Sequence, residues 1–182
     1  RSYWYLLGVL LLCAGPATAK VRLPSIFGDH MVLQQRTKAA FWGWADPGEA
    51  VTITPGWQGI SVQVRADASG RWSAQLPTPA AGGPYRLRIN DISIEDVLIG
   101  EVWLCSGQSN MVFSLTSSAN ATTAIADANR PSIRYFSATR QYARHDFDNS
   151  PGAAWVLCSP KTAPGFSAVA YFFARKIQET LK

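Results

Sequence analysis

The stretch Gly100-Glu101-Val102-Trp103-Leu104-Cys105-Ser106-Gly107-Gln108-Ser109-Asn110-Met111 carries the most chemically informative spacing in the chain. Val102 to Cys105 is apolar at every position, the pattern of a short strand covered on both faces in an α/β sheet. Ser106 to Gln108 then supplies a turn, and the composition from Asn110 to about Ala128 is compatible with a helix that loosens around Ser117 to Thr123. A serine on a sharp turn between such a strand and helix stands at the carboxyl end of the sheet, where ligands of open α/β folds bind. The amino end of the helix aims free N–H groups at the same place, so an oxyanion formed on an attacked ester carbonyl meets donors and a favourable dipole. The expected chemistry is acyl transfer through Ser109. Its own N–H is the first oxyanion donor, and the Gln108 and Asn110 side chains either bind the acyl group or hold the turn. Ser106 still belongs to the strand end and is the weaker candidate. Met111 stands where a glycine usually follows a nucleophilic serine by two places, and a Gly-x-Ser turn is equally an ordinary structural turn.

A serine hydroxyl is almost wholly protonated at neutral pH and needs a base. The chain holds two histidines. His30 lies in a β-rich stretch and reads as a surface or strand-end residue; His145 lies in a loop and is chemically eligible. No set of Cys and His has the spacing of a zinc site, so no metal is expected, and no cofactor is expected either. Cys105 and Cys158 can pair in an oxidising compartment if their Cα atoms come within about 7 Å; the sequence leaves that open. The net charge of +5 contains no long basic run and no nucleic-acid motif, which argues against a nucleic-acid partner. The densest basic stretch, Arg130, Arg134, Arg140 and Arg144 with His145, reads as a solvated face, with steering of an anionic sugar as the alternative.

The elements that must position these groups fall into three blocks. Residues 1–19 read as an export signal: Arg1, an apolar run from Leu6 to Cys13, a break at Gly15-Pro16 and a small-residue cleavage site at Ala17-Thr18-Ala19. That run is short of the 20 or so residues a spanning helix needs, so an exported protein starting at Lys20 is expected, periplasmic or extracellular, or lysosomal or secreted if eukaryotic, with no membrane span after signal removal and an uncleaved anchor as the alternative. With 47% apolar and 16% charged residues the remainder is globular. From Met31 to Gly100 short β-branched and aromatic runs recur between turn residues, the signature of a small antiparallel β-sandwich over residues 20–98. Its expected strands are Met31 to Gln35, Ala39 to Trp44, Ala50 to Thr54, Ile60 to Ala66, Arg71 to Leu76, Tyr85 to Asn90 and Ile92 to Leu98. Asp46-Pro47-Gly48, Ala68-Ser69-Gly70 and Ala81-Gly82-Gly83-Pro84 are its turns. The aromatic residues default to core. A carbohydrate-binding module that stacks sugars on Trp42, Trp44, Trp57 or Trp72 is the reading from a different functional class.

Residues 99–182 then read as the first part of an α/β domain. Ile133 to Ser137 is a strand, Gln141 to Ala163 loop, and Ser167 to Leu181 a helix with Ser167 as cap and Val169, Phe172, Phe173 and Ile177 as its apolar stripe. A strand, a helix, a second strand and a last helix cannot cover both faces of a doubly wound sheet, and the chain starts at Arg1 rather than Met, so a cut domain is expected. Asn120-Ala121-Thr122 fits a glycosylation acceptor, which matters only in a eukaryotic secretory pathway. The sequence sets no oligomeric state.

The stretch from Gly100 to Met111 closely resembles the nucleophile block of sialate O-acetylesterases, within the hydrolase superfamily named for its Ser-Gly-Asn-His (SGNH) blocks. Pro24-Ser25-Ile26-Phe27-Gly28-Asp29-His30-Met31-Val32-Leu33-Gln34-Gln35 looks like the opening of that family's β domain, as does Trp42-Gly43-Trp44 followed by Pro47-Gly48. Phe166-Ser167-Ala168-Val169-Ala170-Tyr171-Phe172-Phe173-Ala174-Arg175 resembles its helix. The resemblance runs from about Leu23 to Lys182 in order. It implies a β-sandwich followed by the start of a flavodoxin-like SGNH hydrolase domain, and a serine acetylesterase acting on O-acetylated sialic acid, with acetylated xylan or pectin sugars as alternatives. It also implies a base from a late Asp-x-x-His arrangement. That arrangement is absent here, since Phe27 and Tyr142 stand three places before the two histidines, and the family's Trp-Gly-Gly stretch is absent as well. The catalytic His and Asp are thus expected outside this chain, and the chain by itself is expected to be nearly inactive.

Overall fold

The structure is a computed structural model, described for residues 21–138 and 149–181. Nine strands and two α-helices are present among these residues: β1 (Val32–Gln34), β2 (Lys38–Trp44), β3 (Ala50–Pro55), β4 (Val62–Arg65), β5 (Arg71–Pro77), β6 (Gly82–Ile89), β7 (Ile92–Gly100), α1 (Ala121–Ala126), β8 (Arg130–Phe136), β9 (Trp155–Cys158) and α2 (Ala168–Leu181). The export signal lies outside the described residues. Among the described residues no helix is long and apolar enough to cross a membrane.

The first seven strands form where the alternation of residue types requires them. In β5, Trp72, Ala74 and Leu76 are buried while Arg71, Ser73, Gln75 and Pro77 face out, a period of two that turns one face to the core. The strands make a five-stranded sheet in the order β1-β7-β6-β3-β4 and a two-stranded antiparallel sheet of β2 and β5. Phe41, Trp72 and Leu76 of the smaller sheet pack with Leu33, Val51, Ile53, Leu87, Ile89, Val97 and Ile99 of the larger one in a single hydrophobic cluster. The purely antiparallel arrangement expected from the sequence is not what forms. β1 runs parallel to β7, pairing Val32 with Leu98 and Gln34 with Gly100, which the long intervening chain allows because it returns to the sheet from the opposite end.

The turns are held by named groups. At Gly70 the backbone is left-handed, φ +77°, and the Asp67 carboxylate accepts from the Ser69 N–H at 2.8 Å, the Ser69 hydroxyl at 2.7 Å and the Arg71 N–H at 2.9 Å. Those bonds, the Ser69 hydroxyl first, hold the Asp67 carboxyl below its ordinary range. Gly43 serves a close approach instead. A Cβ there would lie 2.4 Å from the Arg22 carbonyl oxygen and 2.8 Å from the Trp72 ring, where Arg22 pairs with Trp44 through two backbone bonds.

A second cluster gathers Leu115, Ala124, Ala128, Cys158, Ala163, Phe166, Ala168 and Tyr171. Here the expectations need correction. β8 begins at Arg130 and pairs antiparallel with β9, a strand that falls inside the stretch read as loop. The helix expected from Asn110 is replaced by a turn, a short 3₁₀ segment at Leu115–Ser117 and the six-residue α1. In α2 the buried residues are Ala168, Ala170 and Tyr171, whereas Val169 and Phe173 of the expected stripe are exposed. Arg175 lies 5.0 Å from the centre of the Phe172 ring and 5.9 Å from that of Tyr171.

The two clusters are joined by specific contacts. The Ser25 N–H donates to Asn149 Oδ1 at 2.8 Å, its hydroxyl to the Ser150 carbonyl at 2.6 Å, and Trp155 Nε1 to the Ile26 carbonyl at 2.7 Å. Arg134 of β8 donates to both oxygens of Asp96 at 2.7 and 3.2 Å.

Candidate active site

The run Val102 to Cys105 is not a strand. All four residues are exposed, Leu104 at 94%, and the run has no backbone partner among the described residues apart from the Val102 N–H, which donates to Gln34 Oε1 at 2.9 Å. A strand apolar on both faces is made by its neighbours, and no described strand offers it a hydrogen-bonding edge. Trp103 instead lies edge-on to Phe173 of α2, ring centres 5.1 Å apart. The point from which the run leaves β7 is nevertheless fixed. Gln35 Nε2 donates to Glu101 Oε1 at 2.7 Å, and the Gln35 N–H donates to the Gly100 carbonyl at 2.9 Å.

Ser109 stands at the second position of a hydrogen-bonded turn, closed by the Met111 N–H donating to the Gln108 carbonyl at 2.9 Å. Two further bonds of the same step follow, Val112 N–H to the Ser109 carbonyl at 3.3 Å and Phe113 N–H to the Asn110 carbonyl at 3.4 Å. The expected helix dipole is therefore absent, since no α-helix begins at Asn110. The turn does what a helix start would do for nearby donors. The N–H groups of Ser109 and Asn110 and the Ser109 hydroxyl carry no hydrogen bond among the described residues, and Gln108, Ser109 and Asn110 are exposed.

The turn is held from the other side by the approach to α2. The Leu115 N–H donates to the Phe166 carbonyl and the Ala168 N–H to the Phe113 carbonyl, both at 2.8 Å, and Ser114 bridges to Ser167. Tyr135, near the carboxyl end of β8, stacks on Phe166 with ring centres 4.3 Å apart.

No base is assembled with Ser109 among the described residues. His30 is engaged elsewhere: its Nδ1 lies 2.6 Å from Asp96 Oδ2. Asp96 also holds Arg134, and the Arg134 hydrogen bond, followed by burial acting in the opposite sense and then the His30 bond, leaves its carboxyl below the ordinary range. His145, Arg140 and Arg144 lie outside the described residues. Arg134, read as part of a solvated face, is buried, with 5% of its side chain exposed, and Arg130 is held by Gln178 and Glu179. Cys158 is buried and free, its thiol pushed up by burial, and Cys105 is exposed and free. Among the described residues no group of His, Cys, Asp and Glu can hold a metal ion. Of the four tryptophans weighed for sugar stacking, Trp72 is 3% exposed, Trp42 packs edge-on against Phe27, Trp57 packs edge-on against Tyr85, and Trp44 is half-buried. Asn120, of the possible acceptor triplet, is exposed at the start of α1 with φ +58°.

No protein-family model matches the chain. Sialate O-acetylesterase from Mus musculus is 31% identical over 182 residues, covering 88% of this chain and 34% of its own length. Sialate O-acetylesterase from Homo sapiens is 31% identical over 185 residues, covering 88% of this chain and 35% of its own. The crystal structure of a carbohydrate acetylesterase from Xanthomonas citri superposes with a TM-score of 0.83 at 34% identity, covering 89% of this chain and 38% of that one. The chain thus spans about a third of the length of these curated relatives. Identity of 31% over 88% of this chain, together with a superposing fold, makes the chain a homologue of sialate O-acetylesterases over the portion the two share.

Proposed function

We propose that the chain is the nucleophile-bearing part of an exported carbohydrate O-acetylesterase, acting on O-acetylated sialic acid or on a closely similar acetylated sugar. The observation that carries this reading is Ser109. It is exposed on a closed turn, its hydroxyl unengaged, with its own N–H and that of Asn110 free beside it, in a chain whose relatives are named as acetylesterases.

Ser109 Oγ adds to the acetyl carbonyl while its proton passes to a base. The carbonyl oxygen takes the negative charge, and in this reading the unengaged N–H groups of Ser109 and Asn110 donate to it. Collapse expels the sugar oxygen, which takes up a proton, and leaves an acetyl-enzyme. Water then adds to that ester and releases acetate, returning the proton to Ser109. The side chains of Gln108 and Asn110, exposed on either side, bind the acetyl group or orient the turn. Because His30 is committed to Asp96, the described residues hold a nucleophile and two donors without a base. With the Asp-x-x-His and Trp-Gly-Gly stretches of the resembling family absent from this sequence, the 182 residues alone are read as nearly inactive, and residues 99–182 as the opening of an SGNH-type hydrolase domain behind a leader over residues 1–19.

The test is acetate release from O-acetylated sialic acid and from acetylated xylo-oligosaccharide by the protein as its gene encodes it. Ser109→Ala abolishes release on whichever sugar is used. Wild-type rates in that variant remove Ser109 from the mechanism, and the better of the two substrates names the sugar class.

A further inference from the structure

Ser167 is one of two buried polar residues among the described part of the chain, at 5% exposure, and every polar atom it has is engaged. Its N–H donates to the Tyr135 hydroxyl at 3.4 Å and its carbonyl accepts from the Tyr171 N–H at 2.8 Å. Its hydroxyl oxygen accepts from the Ala170 N–H at 3.3 Å, the third position of α2, which is the ordinary capping bond. A cap needs only an acceptor. The remaining hydroxyl proton is directed at Met111 Sδ, 3.5 Å away.

Met111 is the residue whose N–H closes the turn around Ser109. The thioether contact therefore joins the end of that turn to the first turn of α2, and through Tyr135 to the end of β8. We propose that Ser167 is a positioning residue for the nucleophile, fixing the Gln108–Met111 turn through Met111 Sδ; this rests on the reading of Ser109 as the nucleophile. A turn that is exposed on its outer side and joined to the fold from within will hold the serine oxygen and the two N–H donors in one relation to the acetyl carbonyl. Released from Ser167, the same turn keeps its own backbone bond but is free to rotate about its ends. Serine and threonine accept and donate at once, whereas asparagine or aspartate would serve a cap alone equally well.

The experiment compares kcat and KM for acetate release in the protein as its gene encodes it, with Ser167→Ala, Ser167→Thr, Met111→Leu and the double variant Ser167→Ala/Met111→Leu. Met111→Leu leaves the capping bond untouched and nearly conserves volume, so it separates positioning from helix stability. Thermal unfolding of each variant checks that it is folded at the assay temperature. A displaced nucleophile costs up to about 100-fold per ångström, so a loosened turn is expected to lower kcat about tenfold with KM within about twofold. The loss should appear in Ser167→Ala and in Met111→Leu, be no greater in the double variant, and be largely restored in Ser167→Thr. Wild-type kcat in Met111→Leu, or losses that multiply in the double variant, overturns the positioning role while Ser109→Ala still abolishes activity. Wild-type activity in Ser109→Ala overturns the nucleophile and the positioning role together.

Discussion

Asp96 holds two partners with one carboxylate, Arg134 through two hydrogen bonds and His30 through one. Both His30 and Asp96 sit in left-handed backbone, φ +68° and +54°, a conformation that costs a non-glycine residue energy and persists only where the surroundings over-determine it. The Arg134 side chain is 5% exposed and its Nε is buried without a partner among the described residues. Asp96→Ala would strand that guanidinium, and removing one partner of a buried pair destabilises by about 3 kcal/mol or more; chemical denaturation measures it. The pH dependence follows from the sign of the shift. The folded carboxyl lies below its unfolded value near 4, so its stabilisation is complete above that value and is lost as pH falls through the folded one. Acid titration of stability should therefore flatten below about pH 4 in Asp96→Asn, and an unchanged acid limb would show that Asp96 does not govern it. The sequence did not reveal this site because Arg134 lies 38 residues from its carboxylate. An arginine in isolation reads as solvated, and only the fold shows what neutralises it. A turn near Ser109 was legible in part, since its hydrogen bonds run between residues three apart, but it spans Gln108 to Met111 rather than the Ser106 to Gln108 expected.

Elements were legible to the extent that their own residues make them. The alternation in β2 to β7 is a local pattern, and the observed strands differ from the expected ones mainly at their ends. Val102 to Cys105 has the composition of a strand without a described edge to join. β9 is only four residues, apolar at every position as Val102 to Cys105 is, and what makes it a strand where the other is not is its partner β8, about twenty residues earlier in the chain. In α2, the stripe through Val169 and Phe173 is apolar yet exposed, because the second cluster takes Ala168 and Tyr171, with Phe172 packed against it. The approach of Arg22 to Trp44 belongs to this scale too. Gly43→Ala would place a Cβ 2.4 Å from the Arg22 carbonyl oxygen, a backbone atom. The Arg22 segment and the Trp72 ring must both shift, and overpacking of this kind costs about 1 to 3 kcal/mol. A melting temperature equal to wild type would mean that the Arg22 segment gives way without cost.

At the scale of the whole molecule, the two hydrophobic clusters are joined by Trp155. It packs on the first cluster from a strand that belongs with the second, and its ring nitrogen bonds the Ile26 carbonyl. Loss of a large packed aromatic costs about 3 kcal/mol, and here the loss should fall on the connection. Trp155→Ala is expected to split a single urea transition into two, with far-ultraviolet circular dichroism and tryptophan fluorescence no longer coincident. Coincident curves in the variant would show that the halves are coupled elsewhere. The bonds from Ser25 and Ile26 span 124 to 129 residues of chain. At roughly 5 to 20 residues per second of synthesis, the segment around Ser25 waits on the order of ten seconds for Asn149, Ser150 and Trp155 to be made. Closure of that clasp is thus a record of progress along the chain: a nascent molecule interrupted before residue 149 displays the Pro24 to Phe27 segment without these partners, and one carried past Trp155 can conceal it.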